Sequence, residues 1–133
     1  MERLNVLIVD DSRLAVQVLK SALEDLGHKV VRTAGTGAEA MTAYQACNPD
    51  VVTMDITMPD MDGIAATEKL VKSYPDARII MVSSHAQQNM VMDALKAGAK
   101  GYILKPIQPD KLRDTLEQVA GIKVLKQAAG AKV

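Results

Sequence analysis

Apolar and polar positions along this chain switch repeatedly between two patterns. Leu4–Val9, Val51–Met54, Ile79–Val82 and Gly101–Leu104 are short runs dominated by apolar residues, the signature of strands buried on both faces. His28–Thr33 holds only Val30-Val31 and reads as a shorter strand nearer an edge. Between the runs the period lengthens to that of a helix. Ser12–Leu26 carries Leu14, Ala15, Val18, Leu19, Ala22, Leu23 and Leu26 as a stripe, and Gly27 ends it. Thr36-Gly37-Ala38-Glu39 is a capping box that starts a helix reaching about Ala46. Ile64–Tyr74 is a third helix, broken by Pro75-Asp76, and Gln87–Ala97 a fourth, closed by Gly98. Pro109 suits the first turn of a last helix with Leu112, Leu116 and Val119 on one face. Gly121 is expected to end or kink that helix. Residues 1–121 then form one domain, and 122–133, rich in Ala and Lys, a helical extension or tail.

Strands alternating with helices predict an α/β fold, a doubly wound five-stranded parallel sheet with five helices on both faces. Right-handed crossovers bring every strand's C-terminal end to one edge, where such sheets bind their ligands. Asp10-Asp11, Asp55, Ser83-Ser84 and Lys105-Pro106 all follow strand-like runs, so this rule gathers them from distant parts of the chain.

Composition narrows the function. The 133 residues suit one core, and 48 % are apolar, too many for a disordered chain. No apolar run approaches the roughly 20 residues of a membrane span, and the N-terminus lacks a signal-peptide pattern. Lys+Arg and Asp+Glu both number 16. A net charge of +0, with no Trp or Phe, argues against nucleic-acid binding by this domain. The single cysteine, Cys47, fits a reducing cytoplasm and a core position.

The chemistry lies in the gathered residues. Asp10, Asp11 and Asp55 concentrate negative charge that a cation or proton must offset, and hard oxygen ligands suit Mg2+. An Asp pair before a helix also suits an N-cap. Asp55 can serve as a nucleophile that forms an acyl phosphate, or simply start the turn after its strand. Lys105 can supply a point charge, and Ser83 a hydroxyl, for phosphoryl oxygens; taken singly, the one also suits an exposed surface lysine and the other a serine leading into a helix. Pro106 allows a cis peptide that would aim Lys105 inward. His28 reads as a solvated residue at a strand entrance. His85 sits two positions after Ser83 at the mouth of the pocket.

Four pieces in order, Val9-Asp10-Asp11-Ser12, Met54-Asp55-Ile56-Thr57-Met58-Pro59 with Asp62-Gly63, Val82-Ser83-Ser84, and Gly101-Tyr102-Ile103-Leu104-Lys105-Pro106, resemble the receiver domains of two-component response regulators. The chain looks most like the small stand-alone chemotaxis regulators. The resemblance implies the flavodoxin-like receiver fold with strand order 2-1-3-4-5. It implies that Asp55 accepts a phosphoryl group from a sensor histidine kinase of the CheA-like type, and that the protein catalyses its own phosphorylation and dephosphorylation without being an ordinary enzyme. Asp11, Asp55 and the Thr57 backbone carbonyl would ligate Mg2+, with Asp10 acting through water. Ser83 and Lys105 would hold the phosphoryl oxygens. Ser83 and Tyr102 would form the switch, and Thr57, Ser84 and His85 would tune dephosphorylation. Met90, Val91, Leu95 and Tyr102 mark a partner face on the fourth helix, last strand and last helix, expected to meet a target such as a flagellar motor switch component. A phosphatase is a further expected partner, and neither nucleic acid nor membrane is expected.

Ser83 stands where Thr is more frequent in the family, Ser84 where Ala is common, and Ile107 where Phe often follows Lys-Pro. Two rival readings share the same residues. One is the receiver piece of a DNA-binding or methylesterase regulator. The other is a phosphatase of the haloacid-dehalogenase type, which expects a second Asp where this chain has Thr57.

Overall fold

The computed structural model describes residues 3–85 and 87–132, with side chains described as far as residue 121. The five strands are β1 (Asn5–Val9), β2 (Lys29–Ala34), β3 (Val51–Met54), β4 (Ile79–Ser83) and β5 (Gly101–Leu104). They alternate with α1 (Arg13–Asp25), α2 (Gly37–Cys47), α3 (Gly63–Ser73), α4 (Gln88–Ala97) and α5 (Pro109–Lys132). All pairings are parallel, in the order β2-β1-β3-β4-β5.

The buried runs explain the layering. Val6 through Val9 and Val51 through Met54 are buried without a break, so both sheet faces must be covered. Leu7, Val9, Val52, Met54, Ile79 and Met81 pack under α2, α3 and α4 through Ala40, Tyr44, Ala66, Leu70 and Ala94. Val6, Ile8, Val51, Ile80, Val82 and Ile103 pack under α1 and α5 through Leu19, Leu23, Leu112 and Leu116. Cys47 is half-buried against the first of these cores, and burial pushes its thiol pKa up.

Local signals set the helix ends. Ser12, Thr36 and Asp62 cap α1, α2 and α3, each accepting a backbone N–H three residues on. Gly27 and Gly98 follow α1 and α4 with φ of +91° and +115°, a backbone region glycine enters without a Cβ penalty. Asn48 closes α2 at φ 43°, a second residue type tolerant of that region.

One expectation is narrowed and another corrected. α5 runs from Pro109 to Lys132, so of the two roles given to Gly121, ending the helix is excluded. Its φ is not positive, and glycine in a helix interior costs only about 1 kcal/mol against alanine, too little to stop a helix by itself. His28 is not solvated: it is 5 % exposed, and its Nδ1 accepts the Leu4 N–H at 3.0 Å. The lone apolar pattern of β2 hid this, because the imidazole pairs with backbone at the start of β1.

That contact makes acid sensitivity an expected property. Nδ1 can accept only while unprotonated, and burial lowers the His28 pKa from the usual 6.5. Below 6.5 the unfolded chain therefore binds more protons at this residue than the folded chain. Its contribution is complete above that pH and fades as the pH falls toward the folded value. Urea midpoints should thus decline on acidification from pH 8. His28→Ala should remove this part of the slope and cost about 1–3 kcal/mol at pH 8 by leaving the Leu4 N–H unpaired. An unchanged slope in the variant would rule His28 out as its source.

Candidate functional site

Parallel pairing puts the C-terminal ends of β1, β3, β4 and β5 on one edge. β1 connects through α1 to β2 on one side, while β3 lies on its other side. The crevice between β1 and β3 is therefore a topological switch point. Asp10 and Asp11 follow β1 there, and Asp55 follows β3. The Asp55 N–H donates to the Val9 carbonyl at 2.9 Å, tying the two strand ends together.

One carboxylate oxygen from each of Asp10, Asp11 and Asp55 lies within 4.8 Å of the others. Lys105, after β5, reaches across β4 to close the group. Its Nζ lies 3.0 Å from Asp10 Oδ2 and 3.5 Å from Asp55 Oδ1. The Lys105 backbone N–H donates to the Ser83 carbonyl at 2.8 Å, and the Lys105–Pro106 peptide is cis. Asp10 is nearly buried, Asp55 half-buried and Asp11 exposed.

The helix-cap reading of the Asp pair resolves simply. Ser12 caps α1, accepting the Ala15 N–H at 3.2 Å. Asp10 Oδ1 accepts the Ser12 N–H at 2.9 Å, which leaves Oδ2 for Lys105. Asp11 makes no side-chain hydrogen bond among the described residues.

Burial raises the Asp55 pKa, and the neighbouring Asp10 charge adds to this, while Lys105 opposes it. Burial acts to lower the Lys105 pKa, but the hydrogen bond to Asp10 and the Asp55 charge outweigh it and hold the ammonium charged. Three acids against one ammonium leave a surplus of negative charge. The donor set fits Mg2+: with Mg–O distances of about 2.0–2.1 Å, two direct ligands lie at most about 4.2 Å apart. Oxygens gathered within 4.8 Å of one another can supply the one or two direct carboxylates that Mg2+ usually takes, with water filling its other positions.

Ser83 ends β4 at 1 % exposure, and its Oγ accepts the His85 N–H at 3.1 Å. Tyr102 is half-buried on β5, and its hydroxyl donates to the His85 carbonyl at 2.7 Å. Thr57, Ser84 and His85 are exposed around the pocket mouth. Met90 and Val91 are half-buried, whereas Leu95 is open. Leu104, which sequence reasoning did not select, joins Met92 and Leu95 at 46 % exposure each. Strand alternation was the available signal: Ile103 is buried on the α1/α5 side, which turns Tyr102 and Leu104 to the other.

Gly63 was also read only as part of a motif. Its N–H donates to the Ile56 carbonyl at 2.6 Å, and a Cβ there would fall 1.9 Å from the Asp55 carbonyl oxygen. Backbone packs on backbone at this point, which requires glycine.

A doubly wound parallel sheet with an acidic pocket and a paired lysine at its switch point defines the class. The chain belongs to the response regulator receiver domain family, whose sequence pattern matches residues 6–117. It is 44 % identical over 117 residues to the chemotaxis protein CheY of Listeria monocytogenes, covering 88 % of this chain and 98 % of that one. Against the CheY of Thermotoga maritima it is 45 % identical over 115 residues, 86 % and 96 % of the two chains. A CheX–CheY complex with BeF3 and Mg from Borrelia burgdorferi superposes with a TM-score of 0.82 at 39 % identity, covering 86 % of this chain and 87 % of that one. Receiver domains are signalling modules of two-component systems, controlled by phosphorylation at a Mg2+-dependent acidic pocket. The phosphatase reading is not favoured by these likenesses. Among the described residues, no helix is long and apolar enough to cross a membrane.

Proposed function

We propose that Asp55 is the phosphoryl acceptor of a cytoplasmic chemotaxis-type regulator, supplied by a sensor histidine kinase. The observation that carries this reading is the Asp55 carboxylate, grouped with two other acids and 3.5 Å from Lys105. In the transfer, an Asp55 oxygen attacks phosphorus, the bond from phosphorus to the donor imidazole nitrogen breaks, and the imidazole leaves and takes up a proton. The product is an acyl phosphate. Lys105 sits where it can pair with the charge on the transferred oxygens, and Ser83 has a hydroxyl proton to donate. Asp11, Asp55 and the Thr57 carbonyl would hold Mg2+, with Asp10 through water; the ion supplies charge neutralisation at the phosphoryl oxygens.

The output follows from what is loosely held. α4 buries only Ala94, and its N-cap residue Gln87 makes no side-chain cap bond. His85 is tied on its N–H side to Ser83 and on its carbonyl side to Tyr102. A phosphoryl group competing for the Ser83 hydroxyl would reset both links and shift α4. Val91, Tyr102, Leu104, Lys105 and Lys111 line an open cavity of about 510 Å³ on this face, and α4 also exposes Met92 and Leu95. This is the surface for a downstream target such as a motor switch component, and for a phosphatase that ends the signal. The tuning residues Thr57, Ser84 and His85 flank the route by which water would reach the acyl phosphate.

The test is intact mass after incubation with acetyl phosphate and Mg2+. The expected result is a gain of one phosphoryl group, mapped to Asp55, abolished by chelator and absent in Asp55→Ala. Label persisting in that variant would overturn the assignment.

A further inference from the structure

The loop after β3 is fastened to a helix that supplies no group to the pocket. Asp60 Oδ1 accepts the Gly37 N–H at 2.9 Å, and Oδ2 accepts the Ala38 N–H at 3.0 Å. These are the first two residues of α2, whose N–H groups have no partner inside the helix. α2 already has its own cap, because Thr36 Oγ1 accepts the Glu39 N–H at 3.0 Å. Asp60 takes the two donors that Thr36 leaves open. The helix end favours a carboxylate, and the Gly37 N–H chiefly holds its carboxyl below the usual range. Met61 lies over Gly37 so closely that a Cβ there would fall 2.5 Å from Met61 Cγ.

The loop is also held by the apolar core and by bonds within its own β–α unit. Ile56 and Met58 are buried in the core, the Gly63 N–H closes onto Ile56, and Asp62 caps α3 through the Ala65 N–H. Thr57 lies exposed between the two buried residues. Asp60 supplies the hydrogen bonds that join the loop to α2, and Met61 packs beside it on Gly37.

The geometry points to Asp60 as a positioning residue for divalent-cation binding: by clasping the start of α2 it holds the loop carrying Thr57 in a fixed course, so that the ion finds its ligands in place. This rests on the Mg2+ reading of the pocket. A loop ordered beforehand spares the entropy that binding would otherwise lose.

The experiment is Mg2+ titration by calorimetry of the wild-type chain, Asp60→Ala, Asp60→Asn and Thr36→Ala, with amide exchange at Gly37 and Ala38. Asp60→Ala should weaken Mg2+ binding about three- to tenfold and speed exchange at both amides. The weakening should persist at high salt, where a distant lost charge is screened. Phosphoryl uptake should reach its maximum only at higher Mg2+. Asp60→Asn, with one accepting oxygen, should fall between. Thr36→Ala removes the helix's own cap and should lower the urea midpoint without changing Mg2+ affinity. Wild-type binding with unchanged affinity in Asp60→Ala, or equal weakening in Thr36→Ala, overturns the clasp's role. A wild-type chain that binds no Mg2+ overturns the metal reading, and this inference with it.

Discussion

Replacing Lys105 with methionine is expected to slow phosphoryl uptake by one to two orders of magnitude while tightening Mg2+ binding about tenfold. The two effects have one cause. The Lys105 ammonium sits 3.0 Å from Asp10 and 3.5 Å from Asp55, so it partly neutralises an acidic cluster that a divalent ion would otherwise neutralise alone. Removing it deepens the negative potential and favours the ion. The incoming phosphoryl group loses a cation in the same step, and its oxygens then face the carboxylates less shielded. Methionine keeps an unbranched stem of similar reach, so packing changes little. Initial rates with acetyl phosphate at saturating Mg2+, together with calorimetric Mg2+ affinities, measure both effects. Weaker Mg2+ binding in the variant would show that Lys105 organises the carboxylates rather than competing with the ion, and an unchanged rate would remove it from the transfer step.

Gly63→Ala is expected to destabilise the fold by about 3 kcal/mol and to cut phosphoryl uptake severely. The added Cβ would meet the Asp55 carbonyl oxygen at 1.9 Å, the Asp55 carbonyl carbon at 2.8 Å and Ile56 Cα at 2.9 Å. None of these atoms belongs to a side chain that could swing aside. Relief requires moving either the first turn of α3 or the peptide that orients Asp55. The urea midpoint reports the first cost and the acetyl phosphate rate the second. A variant within about half a kcal/mol of wild type would mean that the α3 start yields at little cost. Gly121→Ala is the natural comparison, because its Cβ meets nothing within 4 Å.

Most of the architecture could be read from periodicity because the pattern is unusually plain. The predominantly apolar runs of β3 and β4 call for a sheet covered on both faces, and the stripes of α1 and α5 supply one cover. Ser12, Thr36, Gly27 and Gly98 punctuate helix ends by local chemistry, so they are visible in a one-dimensional string. The gathering of Asp10, Asp11, Asp55 and Lys105 followed from the topology that this pattern implies. What could not be read depends on long-range contact. His28 becomes an interior acceptor only because β1 starts beside it. The Asp60 link spans 22 and 23 residues to Ala38 and Gly37. The need for glycine at position 63 arises from the Asp55 carbonyl, eight residues earlier. Gly121 shows the opposite case: a local breaker signal that does not end the helix.

β3 is the middle strand of five, with every residue buried and hydrogen-bonded neighbours on either side. Fraying that begins at the rim of the sheet must dismantle other pairings before it touches the strand that leads into Asp55. The carboxylate proposed to accept the phosphoryl group thus follows a strand sheltered on both sides, while the proposed docking face lies on the edge strand β5 and on α4, which buries only Ala94. Substitutions that retune which target is chosen should accumulate on α4 and β5 with little penalty to transfer chemistry, giving one chassis that can be rewired without rebuilding its engine.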